Sequence, residues 1–140
     1  MPQHLVTNFS AYISRQQLFD PSQKVLLAVS GGVDSIVMAW LFKEAGYQAG
    51  IAHCNFQLRG EESMRDEAFV QQMATTLELP LHTVRFDTYA YMEEHRVAVQ
   101  VAARDLRYTW LEQTRAGEGY AFIATAHHMQ DSVETALMNF

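Results

Sequence analysis

The sequence predicts an α/β fold, a three-layer sandwich with a central parallel sheet. Apolar runs of strand length alternate along the chain with apolar residues at helical spacing. The first run, Lys24–Val29, is continuously apolar after its first residue, which is typical of a parallel strand buried on both faces. Polar segments follow three of the runs, and loops of this kind meet at the carboxyl edge of a parallel sheet.

The elements of the first half follow from spacing and from helix-ending residues. Leu5, Phe9, Tyr12 and Ile13 predict a helix over 3–19 that covers the sheet and ends before Pro21. Strand one, Lys24–Val29, is followed by a helix over 35–45, for which Gly46 is a suitable C-cap. Strand two covers 47–54. Ser63 and Asp66 form a predicted capping box that opens a helix ended before Pro80, and its apolar residues are Val70, Met73, Ala74 and Leu77.

The second half repeats the alternation. Leu81–Phe86 is strand three, 88–95 is a short helix or lid, and 99–115 is a longer helix stopped by Gly117 and Gly119. The expected inward face of that helix comprises Ala102, Leu106, Thr109 and Trp110. Tyr120–Ala126 is strand four, and Asp131 caps a final helix whose inward residues are Val133, Ala136, Leu137 and Phe140. The aromatic residues Trp40, Phe42 and Trp110 are predicted to lie in the core.

Composition limits the class of protein. The chain has 140 residues, of which 49% are apolar and 19% charged, as in one globular domain. No run approaches the roughly 18 apolar residues of a membrane span, and no leader pattern opens the chain, so we expect a cytoplasmic protein without a membrane partner. The single Cys54 excludes an internal disulfide and a multi-thiolate metal site. A net charge of −6 disfavours nucleic-acid binding by this segment alone.

The segment Ser30-Gly31-Gly32-Val33-Asp34-Ser35 between strand one and its helix is a predicted anion site. Glycines, hydroxyls and the N–H groups of a helix start suit a phosphate, and Asp34 is a candidate ligand for a divalent cation. Lys24 and Lys43 do not follow a glycine, which excludes a Walker A loop, and two glycines are too few for the dinucleotide fingerprint. The pattern resembles that of PP-loop ATPases; a plain strand-to-helix turn is the alternative.

Three further motifs have a functional and a structural interpretation. In the polar segment 53–63, His53 lies where backbone atoms of 51–53 could contact adenine, and Arg59 could reach phosphates; a surface loop is the alternative. Arg104 and Arg107 share a helix face and could clamp phosphate or an RNA backbone, or they form a solvated charged face. In 127–131, His127 and Asp131 could face the nucleotide crevice, and Asp131 as an N-cap is also a complete structural account.

Together these motifs resemble the N-terminal domain of the tRNA(Ile)-lysidine synthetase family. The matching segments are Ser30–Ser35, Ala52–Ser63, Ala102–Tyr108 and Ala126–Glu134. The resemblance implies an adenine nucleotide alpha hydrolase-like fold and a ligase that uses ATP and Mg²⁺. In the reaction that the resemblance implies, the wobble cytidine of an isoleucine tRNA with a CAU anticodon is adenylated at O2, and free lysine then displaces AMP. It also implies that 1–140 is the N-terminal part of the catalytic domain, without the tRNA-binding domains. The resemblance leaves open whether the protein forms a homodimer.

The resemblance also implies roles for single residues. The ATP-binding residues are those of the loop, 30–35, together with His53 and Arg59, and the substrate-binding residues are Arg104 and Arg107. Asp34, His127 and Asp131 are the catalytic candidates: His127 as the proton acceptor, Asp131 for orientation, and Asp34 also as the Mg²⁺ ligand. The alternatives are another PP-loop enzyme, such as a tRNA sulfur transferase or an NAD- or GMP-type synthetase, and a non-catalytic nucleotide-binding module.

Overall fold

The computed structural model describes residues 3, 4, 6–8, 10 and 22–126. The described residues among the first ten are helical, and Val6 is buried in the core. The strands are β1 Lys24–Ala28, β2 Gln48–Asn55, β3 Leu81–Arg85 and β4 Phe122–Thr125. The helices that follow are α1 Val33–Glu44, α2 Glu61–Leu77, α3 Thr88–His95 and α4 Val99–Glu118. Within these ranges, no helix is long and apolar enough to cross a membrane.

The four strands form one parallel sheet with the order β3-β2-β1-β4. The chain runs outward from β1 to β2 and β3, then returns to place β4 on the other side of β1. This reversal leaves a crevice beyond the carboxyl end of β1, where ligands of open α/β sheets bind. The segment 30–35 follows β1 directly, so the topology puts the predicted anion site at that crevice.

Helices cover both faces of the sheet, because successive strand residues point to opposite sides. Val25 and Leu27 of β1 pack in a large apolar cluster with residues of α1 and α2. Leu26, between them, packs in a smaller cluster with Leu111 of α4 and with Tyr120. The predicted three-layer α/β sandwich with a parallel sheet is therefore confirmed.

The core predictions for aromatic residues hold in part. Phe42 is fully buried, whereas Trp40 and Trp110 are half-buried and pack against the edges of the two clusters. Thr109 was expected on the inward face of α4, and this is wrong, since it is exposed. Ala102 is buried as predicted, and Leu111, which was not among the predicted residues, is buried as well.

Close contacts of Tyr120 join the segment before β4 to the other three strands of the sheet. A Cβ at Gly50 of β2 would overlap the Tyr120 hydroxyl, so only glycine fits beneath that ring. The same hydroxyl is hydrogen-bonded to Nε2 of His82 at 2.9 Å, and the Lys24 ammonium lies 4.4 Å from the ring centroid. Tyr120 thereby contacts residues of β1, β2 and β3 just before β4 begins.

The predicted capping box of α2 is wrong. The helix begins at Glu61, two residues before Ser63, and its N-cap is Gly60, which makes no side-chain cap bond. The carboxylates at Glu61 and Glu62 in the first turn favour this earlier start, because they interact well with the positive end of the helix dipole. Ser63 instead accepts a hydrogen bond from the Arg59 N–H at 3.2 Å. The helix expected after Asp131 lies outside the described residues.

Candidate functional site

The segment after β1 is held in shape by its two serines. The Ser35 hydroxyl donates to the Gly32 carbonyl at 2.8 Å and accepts from the Gly31 N–H at 3.3 Å. The Ser30 hydroxyl accepts from the Gly32 N–H at 3.3 Å and lies 3.5 Å from the Ser35 hydroxyl. Gly31 has φ +102°, whereas Gly32 is extended at φ −73°, so only the first glycine uses its conformational freedom.

The start of α1 supplies the anion-binding groups of this segment. Gly32 is the N-cap, so the N–H groups of Val33, Asp34 and Ser35 lie in the first turn, where a helix offers no carbonyl partner for them. Val33 and Asp34 are exposed to solvent. Because the positive end of the helix dipole lies here as well, this turn is suited to phosphate oxygens.

The start of α2 packs against the same segment. A Cβ at Gly31 would lie 3.4 Å from Cβ of Asp66, and the Asp66 carboxylate accepts a hydrogen bond from Nη2 of Arg59 at 2.8 Å. Arg59 also lies 3.5 Å from the Glu62 carboxylate. Arg59 therefore stands beside the predicted phosphate site while its guanidinium contacts two carboxylates. Sequence reasoning assigned Asp66 to a helix cap and missed this position.

Two adjoining cavities meet at Ser30. The larger, of about 210 Å³, is lined by Ala28, Val29, Ser30, Ser35, Ala52, Cys54, Phe56, Arg107, Leu111, Thr125 and Ala126. The smaller, of about 150 Å³, is lined by Ser30, His53, Cys54, Asn55, Phe56, Leu58, Arg59, Ser63 and Asp66. Residues that follow β1, β2 and β4 thus converge here with α4. The structure brings Arg107 to this place, whereas Arg104 is exposed, 4.0 Å from Asp105, and does not line either cavity.

His53 lies beneath the loop. Its side chain is buried, and Nδ1 is 2.7 Å from the carbonyl oxygen of Val29. Because a carbonyl only accepts, Nδ1 carries the proton of this bond. Nε2 is buried and has no hydrogen-bond partner among the described residues. The contact fixes the peptide immediately before Ser30.

A group of polar side chains around the buried Glu67 joins α2 to the sheet near His53, and no local sequence pattern predicts it. Arg85 of β3 donates to both carboxylate oxygens of Glu67, at 3.0 and 2.7 Å, and Asn55 of β2 donates to the same carboxylate at 3.3 Å. The hydrogen bonds from Arg85 are the main cause that lowers the pKa of Glu67, and burial opposes them. A buried glutamate is stable only when paired in this way.

Comparison with known proteins identifies the family. A PP-loop domain model matches residues 2–140. The chain belongs to the PP-loop family. It is 48% identical to the tRNA(Ile)-lysidine synthase of Bacteroides thetaiotaomicron over 128 residues, which are 91% of this chain and 30% of that protein. It is 43% identical to the enzyme of the same name from Parabacteroides distasonis, over 96% of this chain and 31% of that protein. The chain therefore spans about 30% of the length of these relatives.

Two solved structures of other proteins share the fold. The NH₃-dependent NAD synthetase of Campylobacter jejuni superposes with a TM-score of 0.67 at 20% identity, over 89% of this chain and 56% of that one. The NMN synthetase of Francisella tularensis gives 0.66 at 16% identity, over 87% and 53%. At these identities the likeness concerns the fold alone. It agrees with the predicted adenine nucleotide alpha hydrolase-like class.

Cys54 lines both cavities of this PP-loop domain but is a poor nucleophile. Burial raises the pKa of its thiol to about 12, and the positive charge of Arg107 opposes the shift. The thiolate is the reactive form of cysteine, so at neutral pH this side chain is present almost entirely as the unreactive thiol. The surroundings of Cys54 therefore do not favour a sulfur transferase mechanism in which this cysteine would carry the sulfur as a persulfide.

The carboxylates of the domain suit a magnesium ion held mainly by phosphates. Among the residues that the structure describes, no three His, Cys, Asp or Glu side chains gather into a metal site. Asp34 is a single exposed carboxylate in the first turn of α1. Mg²⁺ in phosphate-transferring sites takes one or two carboxylates and completes its shell with phosphate and water oxygens. Asp34 fits that requirement. His127 and Asp131 lie outside the described residues.

Proposed function

We propose that this PP-loop domain is the ATP-binding part of a ligase that joins lysine to C2 of the wobble cytidine in an isoleucine tRNA. The observation that carries the proposal is the convergence of the segments after β1, β2 and β4 at Ser30. It occurs in a chain 48% identical to a tRNA(Ile)-lysidine synthase over 91% of its length. The proposed substrates are free lysine and an isoleucine tRNA with a CAU anticodon, and the proposed compartment is the cytoplasm. That the protein forms a homodimer stays a prediction.

The phosphate loop has one task in this proposal, which is to hold the triphosphate of ATP and then the departing pyrophosphate. The N–H groups of the first turn of α1 and the hydroxyl of Ser30 are donors to the phosphate oxygens, with Arg59 and Arg107 as nearby cations. The Ser35 hydroxyl supports them by holding the turn through its hydrogen bond to the Gly32 carbonyl. Preorganised donors of this kind stabilise the negative charge that develops on the leaving group. The adenine lies against the backbone of 51–53.

Asp34 would hold Mg²⁺ together with the phosphate oxygens. When bound, the ion neutralises phosphate charge and so favours the departure of pyrophosphate. The His53 contact with the Val29 carbonyl supports the same loop from below, through the peptide that precedes Ser30. Arg104 stays a candidate for binding the substrate outside the cavities.

The reaction has two steps. First, O2 of the cytidine attacks the α-phosphorus of ATP, and the bond to the β-phosphate oxygen breaks and releases pyrophosphate. Second, the lysine amine attacks C2, the C2–O2 bond breaks, and AMP leaves with that oxygen. The amine must first lose a proton: at a pKa of about 10.4, roughly one molecule in a thousand is neutral at pH 7. We assign proton acceptance to His127 and orientation of the amine to Asp131.

The test uses the full-length protein that carries this domain. Pyrophosphate release is measured with ATP, isoleucine tRNA and lysine, and then with each omitted in turn. We expect release to require the cytidine-bearing tRNA and the modified base to appear only with lysine. An Asp131→Asn variant should still bind ATP but lose lysine capture. Pyrophosphate release that does not require the tRNA would contradict the proposed function. Unchanged turnover of the Asp131→Asn variant would contradict the role of Asp131.

A further inference from the structure

Helix α4 carries a stripe of side chains from the larger cavity out to solvent. Leu111, Arg107 and Arg104 are spaced four and three residues apart, so they lie on one face of the helix. Leu111 and Arg107 line the cavity beside Ser30 and Ser35. Arg104 lies one turn farther out and is exposed. Tyr108 is beside Arg107, four residues from Arg104, and 62% of its surface is exposed.

The charges on this stripe are available to a ligand. Arg107 makes no hydrogen bond or ion pair with any residue that the structure describes, although it stands at the cavity. The ion pair of Arg104 with Asp105 is long, at 4.0 Å, and exposed, so it contributes little to stability. Asp105 also accepts a hydrogen bond from the hydroxyl of Tyr91 on α3 at 3.4 Å. Two weakly engaged guanidinium groups thus flank an exposed aromatic ring.

We propose that Tyr108 and Arg104 form the track on which the RNA strand lies as the target nucleotide enters the cavity past Arg107. The ring of Tyr108 stacks on an unpaired base next to the target, and Arg104 contacts a backbone phosphate. Aromatic rings between cations are the usual means of holding single-stranded nucleic acid. The inference rests on the proposed function and deepens it, because it names the residues that hold the strand outside the reacting site.

RNA is favoured over a protein partner by the continuity of the stripe with the cavity. The same face of one helix joins the phosphate loop region, through Arg107, to the exposed ring and the outer arginine. The net charge of the chain is −6, so these arginines are a local feature rather than part of a generally basic surface. A strand that reaches the loop from solvent would pass over this face.

The experiment measures binding of a fluorescent anticodon stem-loop RNA to the full-length protein by anisotropy at several salt concentrations. The variants are Tyr108→Ala, Tyr108→Trp and Arg104→Gln. The matched control is Tyr89→Ala, because Tyr89 on α3 is 60% exposed. It lies two residues, about 200° around the helix, from Tyr91, which faces α4, so its ring points away from the stripe.

We expect Tyr108→Ala to weaken RNA binding by about tenfold and Tyr108→Trp to retain it, since any aromatic ring stacks. Arg104→Gln should weaken binding and reduce the salt dependence by about one phosphate contact. The KM for ATP and the melting temperature should not change in any of these variants. Tyr89→Ala should bind like the wild type.

The outcomes separate this inference from the proposed function. If the wild-type protein modifies the tRNA and the Tyr108→Ala variant binds RNA normally, the track is overturned and the proposed function is not. A fall in melting temperature for Tyr108→Ala shows that the ring is packed in the full-length protein, and it also overturns the track. A wild-type protein that does not bind the RNA overturns the proposed function, and the track fails with it.

Discussion

Gly31 is the residue at which the geometry of the proposed phosphate loop, 30–35, is most constrained. It combines φ +102° with close contact to Asp66, while its N–H is bonded to Ser35. Every other amino acid would have to adopt a backbone conformation that L-residues rarely use. The loop can therefore turn into α1 beside α2 only with glycine at this position.

Replacing Gly31 with alanine should impair the loop. We expect Gly31→Ala to destabilise the protein by about 1–3 kcal/mol from backbone strain and to raise the KM for ATP. Both effects can be measured by urea unfolding and by pyrophosphate release. Gly117→Ala is the matched control: Gly117 lies within α4 with no neighbour around its missing Cβ, so alanine should stabilise by about 0.5–1 kcal/mol. Equal behaviour of the two variants would contradict the role of Gly31.

The thiol of Cys54 should be unreactive in the native protein although it lines the candidate site. Since burial raises the pKa of its thiol to about 12, the native protein should react with iodoacetamide at pH 8 far more slowly than the urea-unfolded protein. Cys54→Ser should retain tRNA-dependent pyrophosphate release, as expected for a lysine ligase. Loss of turnover in that variant, with ATP binding intact, would support the sulfur transferase instead.

At the scale of secondary structure, α2 is joined to the sheet by its apolar residues and by an ion pair between the buried Glu67 and the half-exposed Arg85. Glu67 is held by Arg85 of β3 and Asn55 of β2, and the preceding residue, Asp66, contacts Gly31. The pair thus sets where the start of α2 meets the phosphate loop. The net contribution of such a pair to stability is small, because the cost of removing the charges from water offsets their attraction.

Removing one partner of this pair should cost far more than the pair contributes. We expect Arg85→Met to lower the free energy of unfolding at pH 7.5, because the Glu67 carboxylate loses its charged partner and keeps only the hydrogen bond from Asn55. The cost should shrink on acidification. The pKa of Glu67 is lowered in the native protein, so the contribution of the pair is complete above the usual pKa near 4.5 and is lost as pH falls through the lowered value. Urea unfolding between pH 7.5 and pH 3.5 measures this, and a cost independent of pH would contradict it.

At the scale of the whole molecule, the site exists only because distant segments meet. Residues after β1, after β2 and at the end of β4, together with Arg107 of α4, surround one place beside Ser30. A ligand bound there would connect all of these elements at once. Its binding energy would therefore be added to the free energy of unfolding of the whole domain.

ATP should accordingly stabilise the folded protein as a unit. At a concentration one hundred times its dissociation constant, a ligand that binds only the native state adds about 2.7 kcal/mol. We expect calorimetry of the full-length protein to show a rise in melting temperature with ATP, and a smaller rise for Gly31→Ala at the same concentration. An unchanged wild-type melting temperature at saturating ATP would contradict binding at this place.

The sequence alone determined the class of fold and the position of the loop. Strand one is apolar from Val25 onward and Ser30–Ser35 has a specific composition, so the parallel sheet and the tight turn into α1 were predictable from local patterns. The limits of Lys24–Ala28 and the start of α1 differ from the prediction by only one or two residues. These properties depend on neighbours along the chain, which a pattern of residues contains.

Only the tertiary structure decided how the remaining groups are arranged. Asp66 lies beside Gly31 rather than capping a helix, Glu67 is paired with Arg85, and Arg107 reaches the cavity whereas Arg104 does not. Each of these facts depends on which residue of another element lies opposite, and that is set by strand order and by the packing of helices on the sheet. Local patterns do not contain this information, because the contacts join residues far apart in the chain.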